Sequence, residues 1–266
     1  MLYFVATPIG NLKDITYRAV ETLLSVDEIA CEDTRHSLTL LNAFNIKKPL
    51  FSYHKFNEKE VGEKIIDKLK SGKNIAVISD AGTPVISDPG NVLVKMLIEN
   101  DLEFTVVPGA CALISALILS GLDSSKFTFL GFLPDKTSER MEFLEKYRTL
   151  DTTLIFYSAP HDVKRNIESI YLAFGDRVCV TVREITKMHE ERESFNLKDG
   201  IKKEPKGEYV ILVEGGKIEN PYLALTEEEH VFAYIKEGVD KKEAIKRVAK
   251  ERGVSKSSLY KYTIDK

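Results

Sequence analysis

Short apolar runs punctuate this chain, and between them apolar positions recur three and four residues apart. Runs at residues 2–6, 28–31, 74–79 and 104–107 have the length of buried strands, and each ends in a turn. Helical spacing follows at 17–25, 37–44, 58–71, 91–99 and 110–120. Strands alternating with helices predict a mainly parallel sheet covered on both faces, an α/β fold. At 131–135 the string GFLPD breaks the pattern: Pro134 stops strand pairing and a charged helix begins at Ser138. The grammar then resumes with strands at 153–157, 177–183 and 208–213 and a helix at 163–174. Fewer crossovers and longer links there predict a mixed sheet in a separate domain.

From Thr226 the composition shifts. Helical patterns at 227–237 and 241–252 lead into the turn Gly253-Val254-Ser255 and a further helix capped by Ser255. This is helix-turn-helix spacing, and a solvated helical tail gives the same pattern. The expected division is therefore 1–131, 132–222 and a tail at 226–266.

Composition changes the picture in three ways. With 43% apolar and 30% charged residues, a chain of 266 residues can bury a sizeable core. A net charge of −3 argues against indiscriminate coating of nucleic acid, yet residues 236–266 carry ten Lys or Arg against five Asp or Glu. Cys31, Cys111 and Cys179 are scattered and read as small buried hydrophobes, so no metal site is expected. The opening run MLYFVATPIGN has no basic stretch ahead of it and reads as a first strand, and the apolar stretch at 110–122 is too short to cross a bilayer. A cytoplasmic protein is the expectation.

Several familiar signatures are absent from the sequence: G-x-G-x-x-G, a GK[ST] phosphate loop and a G-x-S-x-G elbow. What the chain offers are turn clusters after its first-half strands. These are Thr7-Pro8-Ile9-Gly10-Asn11, Glu32-Asp33-Thr34-Arg35, the loop from Asp80 to Gly90, and Val107-Pro108-Gly109. In a parallel sheet all of them reach one carboxyl edge, where open α/β sheets bind ligands. The string VISDAGTPVISDPG is the richest, with two Gly, two Pro and two Asp; it exposes backbone groups rigidly, as a small-molecule site requires. Asp33 and Arg35 could instead form an ion pair with each other. A second charged cluster runs Arg183-Glu184-Ile185-Thr186-Lys187-Met188-His189-Glu190-Glu191 and offers phosphate contacts and proton-transfer groups.

Taken in order, VATPIGNLKDIT, EDTR, SYHKFNE, SDAGTPVISDPG, VPGACALISAL, GFLPDK, REITKMHEE and KGEYVILVEG span residues 4–215. Together they resemble the ribosomal RNA small subunit methyltransferase I branch of the tetrapyrrole methylase superfamily. That resemblance implies two α/β domains with S-adenosylmethionine in the cleft between them, a small C-terminal helical domain, and a homodimer. It further implies methyl transfer to the ribose 2′-oxygen of a cytidine in the decoding region of small-subunit (16S) ribosomal RNA. Carried over position by position, the cofactor would meet Pro8, Asp80, Ala81, Gly82, Thr83, Ile86, Ser87, Ser115, Ala116, Phe132 and Ala159. Glu32, Asp33 and Arg35 would shape the acceptor site, with Lys187 reaching its phosphate. Asp33, Glu184 and a deprotonated Lys187 are the candidate bases for the acceptor hydroxyl.

The chain departs from the family pattern at Ser158-Ala159-Pro160-His161-Asp162, where relatives often carry Glu-Ser-Pro-His-Arg, and in a shortened stretch at 193–203. Two rival readings remain: a corrin or porphyrin methylase of the same fold, and a ligand-sensing regulator whose tail binds DNA.

Overall fold

The computed structural model describes residues 1–216 and 221–262. The first sheet is fully parallel and contains β1 (Leu2–Val5), β2 (Glu28–Cys31), β3 (Leu50–Ser52), β4 (Ile75–Ile78) and β5 (Phe104–Val107), in the order β3-β2-β4-β1-β5. Side chains along a strand alternate between faces, and here each face has its own core. Leu2, Phe4, Ile75 and Val77 point toward α3 (Glu58–Lys70) and α4 (Asn91–Glu99), against Ile65, Leu69, Leu93 and Leu97. Val5, Ala76 and Ile78 point the other way, toward Ala19 and Leu23 of α1 (Tyr17–Ser25) and Leu41 of α2 (Thr34–Ala43). The sheet is wound on both sides.

The second sheet is mixed, in the order β6-β7-β10-β8-β9. Its strands are β6 (Phe127–Phe132), β7 (Thr153–Ser158), β8 (Val178–Arg183), β9 (Glu191–Asn196) and β10 (Tyr209–Val213). Only β6 and β7 run parallel; the other neighbours are antiparallel. Its helices are α5 (Ala112–Ser120), α6 (Thr137–Glu145) and α7 (Val163–Phe174). Leu113, Ala116 and Leu117 of α5 pack on Ile155, Val180, Val210 and Leu212. The helix that sequence assigns to the first domain thus covers the second sheet, and β6 begins at Phe127, four residues before the expected boundary at 131. Gly121, at φ +71, is the left-handed residue that ends α5 and turns the chain into β6.

Both sheets belong to one compact unit, Met1–Arg148 with Thr152–Gly215, and Thr149–Asp151 joins Gly216–Lys266 in the other. The second unit has its own helices, α8 (Glu227–Lys236), α9 (Lys241–Arg252) and α10 (Lys256–Leu259), closed over Val231, Ile245, Val248 and Leu259. Thr226 starts α8 through a capping box with Glu229, Asp240 caps α9, and Ser255 caps α10 after the left-handed Gly253. The expected tail ends at 266; its last four positions lie outside the described residues, as do residues 217–220 of the expected second domain. Among the described residues no helix is long and apolar enough to cross a membrane.

Candidate functional site

The loop that follows β4 is held in a shape its sequence would not adopt alone. Thr7 and Gly82 exchange backbone hydrogen bonds, Thr7 N–H to Gly82 O at 2.8 Å and Gly82 N–H to Thr7 O at 3.1 Å. The Ser79 hydroxyl donates to the carbonyls of Ala81 and Gly82, both at 3.3 Å, and the Thr83 hydroxyl donates to Ala110 O at 3.1 Å. Val85 and Ser87 sit at φ +76 and +66. A β-branched residue in that region is strained by roughly 1–2 kcal/mol. Gly90, at φ +141, lets the loop end against Val85: a Cβ there would lie 2.6 Å from Val85 Cγ2. Its N–H donates to Glu58 Oε1 at 2.6 Å, and Glu58 also accepts from the Tyr53 hydroxyl.

Beside this loop lies a cleft of about 470 Å³, within the usual range for a small-molecule site. One wall is the loop itself, residues 80–83 and 86–88, with Ile9 from the turn after β1. The other wall comes from the second sheet: Phe132, Tyr157, Ala159, Ile185 and Glu208. Phe132 and Tyr157 meet edge to face with centroids 5.6 Å apart, giving an apolar surface. The cleft also holds carboxylates. Burial, with Glu32 and Asp80 nearby, pushes the Asp88 carboxyl up to about 6, and the Ser79 hydroxyl offsets part of that rise. Burial and Asp80 likewise raise Glu32. Tyr157 is pushed up to about 12 by burial and the neighbouring Cys111, so it stays a neutral phenol.

Of the positions named from sequence as cofactor contacts, Asp80, Ala81, Gly82, Thr83, Ile86, Ser87, Phe132 and Ala159 line this cleft. Pro8, Ser115 and Ala116 do not. Pro8 precedes the lining residue Ile9; Ala116 is fully buried against the second sheet. Ser115 spends its hydroxyl on Cys111 O at 3.1 Å within its own helix. Asp88 lines the cleft and sequence reasoning passed over it, although it stands in the most informative string of the chain.

The candidate bases fare differently. Asp33 caps α2 by accepting Arg35 N–H at 2.8 Å, and pairs with the exposed Arg35 guanidinium at 3.4 Å. Those contacts hold its carboxyl below the usual range, so the ion-pair alternative describes these two residues. Lys187 reaches Glu184 at 2.9 Å and Glu208 at 3.1 Å. Burial alone would lower its pKa, but the two carboxylates outweigh burial and hold it above the ordinary lysine value. Both contacts favour the ammonium form of Lys187 over the deprotonated form expected of a base. Burial would raise Glu184, yet Lys187 and the Glu208 N–H together bring it below its ordinary value. Arg183 pairs with Glu191 at 2.7 Å. Glu32 does not itself line the cleft but stands near the lining carboxyls Asp80 and Asp88.

Known proteins resemble this chain in sequence and in fold. Residues 1–199 match the family model described as tetrapyrrole (corrin/porphyrin) methylases. A protein of Halalkalibacterium halodurans named ribosomal RNA small subunit methyltransferase I is 43% identical, covering 97% of this chain and 93% of its own. A Haemophilus influenzae protein of the same name is 44% identical, covering 98% and 95%. Among solved structures, a diphthine synthase overlays with a TM-score of 0.65 at 16% identity, over 80% of this chain and 89% of that one. A uroporphyrin-III-C-methyltransferase of Thermus thermophilus gives 0.58 at 17% identity, over 84% and 97%. The overlays show a shared fold.

Proposed function

This chain belongs to the tetrapyrrole methylase family, through its ribosomal RNA small subunit methyltransferase I group, and on that premise we propose that it methylates the ribose 2′-oxygen of a cytidine in the decoding region of small-subunit ribosomal RNA. It is an S-adenosylmethionine-dependent methyltransferase. The observation that carries the reading is identity above 40% across nearly the whole length of relatives named for small-subunit ribosomal RNA; the cytidine 2′-oxygen rests on the resemblance of the sequence strings. The structural neighbours named for porphyrins are below 20% identical and speak only to fold.

The cleft suits the donor chemically. A cationic sulfonium and ammonium match the Asp80 carboxylate, an adenine matches the Phe132, Ile9 and Ile86 surface, and peptide groups of residues 81–83 supply hydrogen bonds. S-adenosylmethionine supplies an electrophilic methyl group and needs no metal. The residues of the chain bind both reactants and orient them, which is worth up to roughly 7–11 kcal/mol for well-placed partners. Glu32, Asp33 and Arg35 stand on the turn after β2 at the same carboxyl edge and form the acceptor-facing rim in this reading. Lys187 keeps the rim carboxylates Glu184 and Glu208 neutralised where phosphate must approach.

The basic tail is the electrostatic arm in this reading, and a cytoplasmic homodimer its setting. The edge strand β5 leaves Val106 about half exposed, and Ile114 and Ile118 of α5 are 42% and 74% exposed; these apolar surfaces suit a second copy. The test is incubation with labelled donor and small subunits lacking the modification, followed by mapping of the labelled nucleotide. One labelled 2′-O-methylcytidine in the decoding region is the expected result. Label on precorrin instead, or retention of operator-like DNA without methyl transfer, would overturn the reading in favour of its rivals.

A further inference from the structure

We propose that the Asp88 carboxylate is the proton acceptor for the acceptor hydroxyl. The inference rests on the methyl-transfer reading and deepens it, since that reading leaves the hydroxyl proton without a destination. In the step, the O–H bond breaks and its proton passes to Asp88. The oxygen electron pair forms the O–CH₃ bond while the methyl–sulfur bond breaks, its electrons remaining on sulfur in a neutral thioether. Solvent then takes the proton from Asp88.

Place comes first. Asp88 lines the cleft on the loop wall, and Tyr157, whose phenol senses its charge, lines the opposite wall. Availability comes second. Asp33 is committed to the start of α2 and to Arg35, and Asp80 Oδ1 accepts the Asp33 N–H at 3.2 Å. Glu184 and Glu208 hold Lys187, and Glu58 holds Gly90 and Tyr53. Asp88 faces Glu32, Asp80 and the Ser79 hydroxyl, which it shares with the Ala81 and Gly82 carbonyls. Its neighbours therefore leave it a capacity for protons that a salt bridge would remove.

Rigidity comes third. The strained Val85 and Ser87 precede Asp88, and the Gly90–Glu58 bond follows it, so the carboxylate is fixed before any ligand arrives. A base works best with a pKa near the working pH, and burial, with the Glu32 and Asp80 carboxylates beside it, moves Asp88 in that direction.

Asp88→Asn tests the assignment. With wild-type protein, single-turnover transfer to small subunits should rise with pH through one inflection; the Asn variant should lose roughly 10²–10⁴-fold in rate and lose the inflection. Asp88→Glu should restore part of the rate with a shifted inflection. Two readouts are independent of transfer. Calorimetry should show that the Asn variant still binds the donor, and carboxyl NMR of the free protein should show one aspartate titrating near 6 that the variant lacks.

A wild-type protein that transfers nothing to the subunit would overturn the reading and the assignment together. Transfer by wild type with an unchanged rate and pH profile in Asp88→Asn would overturn the assignment alone. Loss of donor affinity matching the loss of rate would also overturn it, making Asp88 a donor ligand. Should Asp88→Asn fail to fold, the NMR titration and the Glu variant decide: no aspartate above the ordinary range, or an unmoved inflection, overturns it.

Discussion

Gly10 lies against the stem of Lys187: a Cβ at Gly10 would sit 2.4 Å from Lys187 Cγ and 3.0 Å from Thr186 Oγ1. The turn after β1 thus meets the turn after β8 with no room for a methyl group. Thr186, at φ +68, and Glu184, at φ +49, keep that second turn in an uncommon shape. Gly10→Ala should cost about 1–3 kcal/mol by overpacking and displace the Lys187 ammonium from Glu184 and Glu208. Removing the stem with Lys187→Ala should relieve part of that cost. A double-mutant cycle on denaturant midpoints should therefore show coupling above about 0.5 kcal/mol, the threshold beyond which sites interact. Additive effects would contradict the packing argument.

Arg35 and Lys187 were named together from sequence, and the structure separates them. Arg35 is 90% exposed in its side chain and pairs only loosely with Asp33; Arg35→Ala should leave stability within about 0.5 kcal/mol of wild type. Its effect should fall on subunit binding, with the salt slope of log K reduced by about 1. Lys187→Ala strips two carboxylates of their partner and should destabilise the chain by about 1–2 kcal/mol before RNA is added. Melting curves and salt titrations on both variants distinguish the roles.

Much of this was legible in the sequence because the physics is local. Strand runs followed by Gly, Pro and Asp place the loops at the carboxyl edge, and the Ser255 cap marks the last tail helix. What sequence misses is set by partners far along the chain. The strand at Glu191–Asn196 reads ERESFN, with Phe195 its one apolar residue, and is a strand because it pairs with β8 at the sheet edge. β6 reads FTFLGF and hides behind its Gly131 bulge. The swap of α5 to the second sheet follows from a helix apolar on all sides, whose sequence does not select a face. Asp88 looks like half of a turn motif until Glu32 and Asp80 are brought beside it, and Lys187 looks free until Glu208 arrives from another strand.

The raised Asp88 carboxyl makes a stability prediction of known sign. Its ordinary value is near 4, and in the folded chain it lies at about 6. Between those values the folded state keeps a proton that the unfolded state has lost, so stability from this group falls as pH rises through that window. Above about 6 the full cost of ionising it in place is present; below about 4 it is gone. Asp88→Asn should therefore raise the unfolding free energy at pH 8, read from denaturant melts, by about 1 kcal/mol after solvent screening at the cleft. The gain should shrink steadily toward pH 4.5. A gain equal at both pH values would point to packing rather than charge.

The tail carries the opposite sign. His230 is fully buried in the second unit; its Nδ1 accepts the Arg252 Nε–H at 3.0 Å, which leaves the ring proton on Nε2, 3.0 Å from Glu251. Arg252 also donates to the carbonyls of Tyr222, Leu225 and Thr226, so this pair ties the end of α9 to the start of α8. Burial and the adjacent guanidinium depress the His230 pKa below its ordinary value. Protonation would set two cations against each other and break the Nδ1 bond. The stability that neutral His230 confers is therefore complete above pH 6.5 or so and is lost as pH falls toward the depressed value, by about 1.4 kcal/mol per unit. Hydrogen exchange of α8 and α9 amides should quicken between pH 7.5 and 5.5. His230→Gln, which keeps an acceptor but cannot titrate in this range, should lack that acid-driven loss once intrinsic exchange is corrected for. Equal protection profiles in both proteins would show that some other group governs the tail.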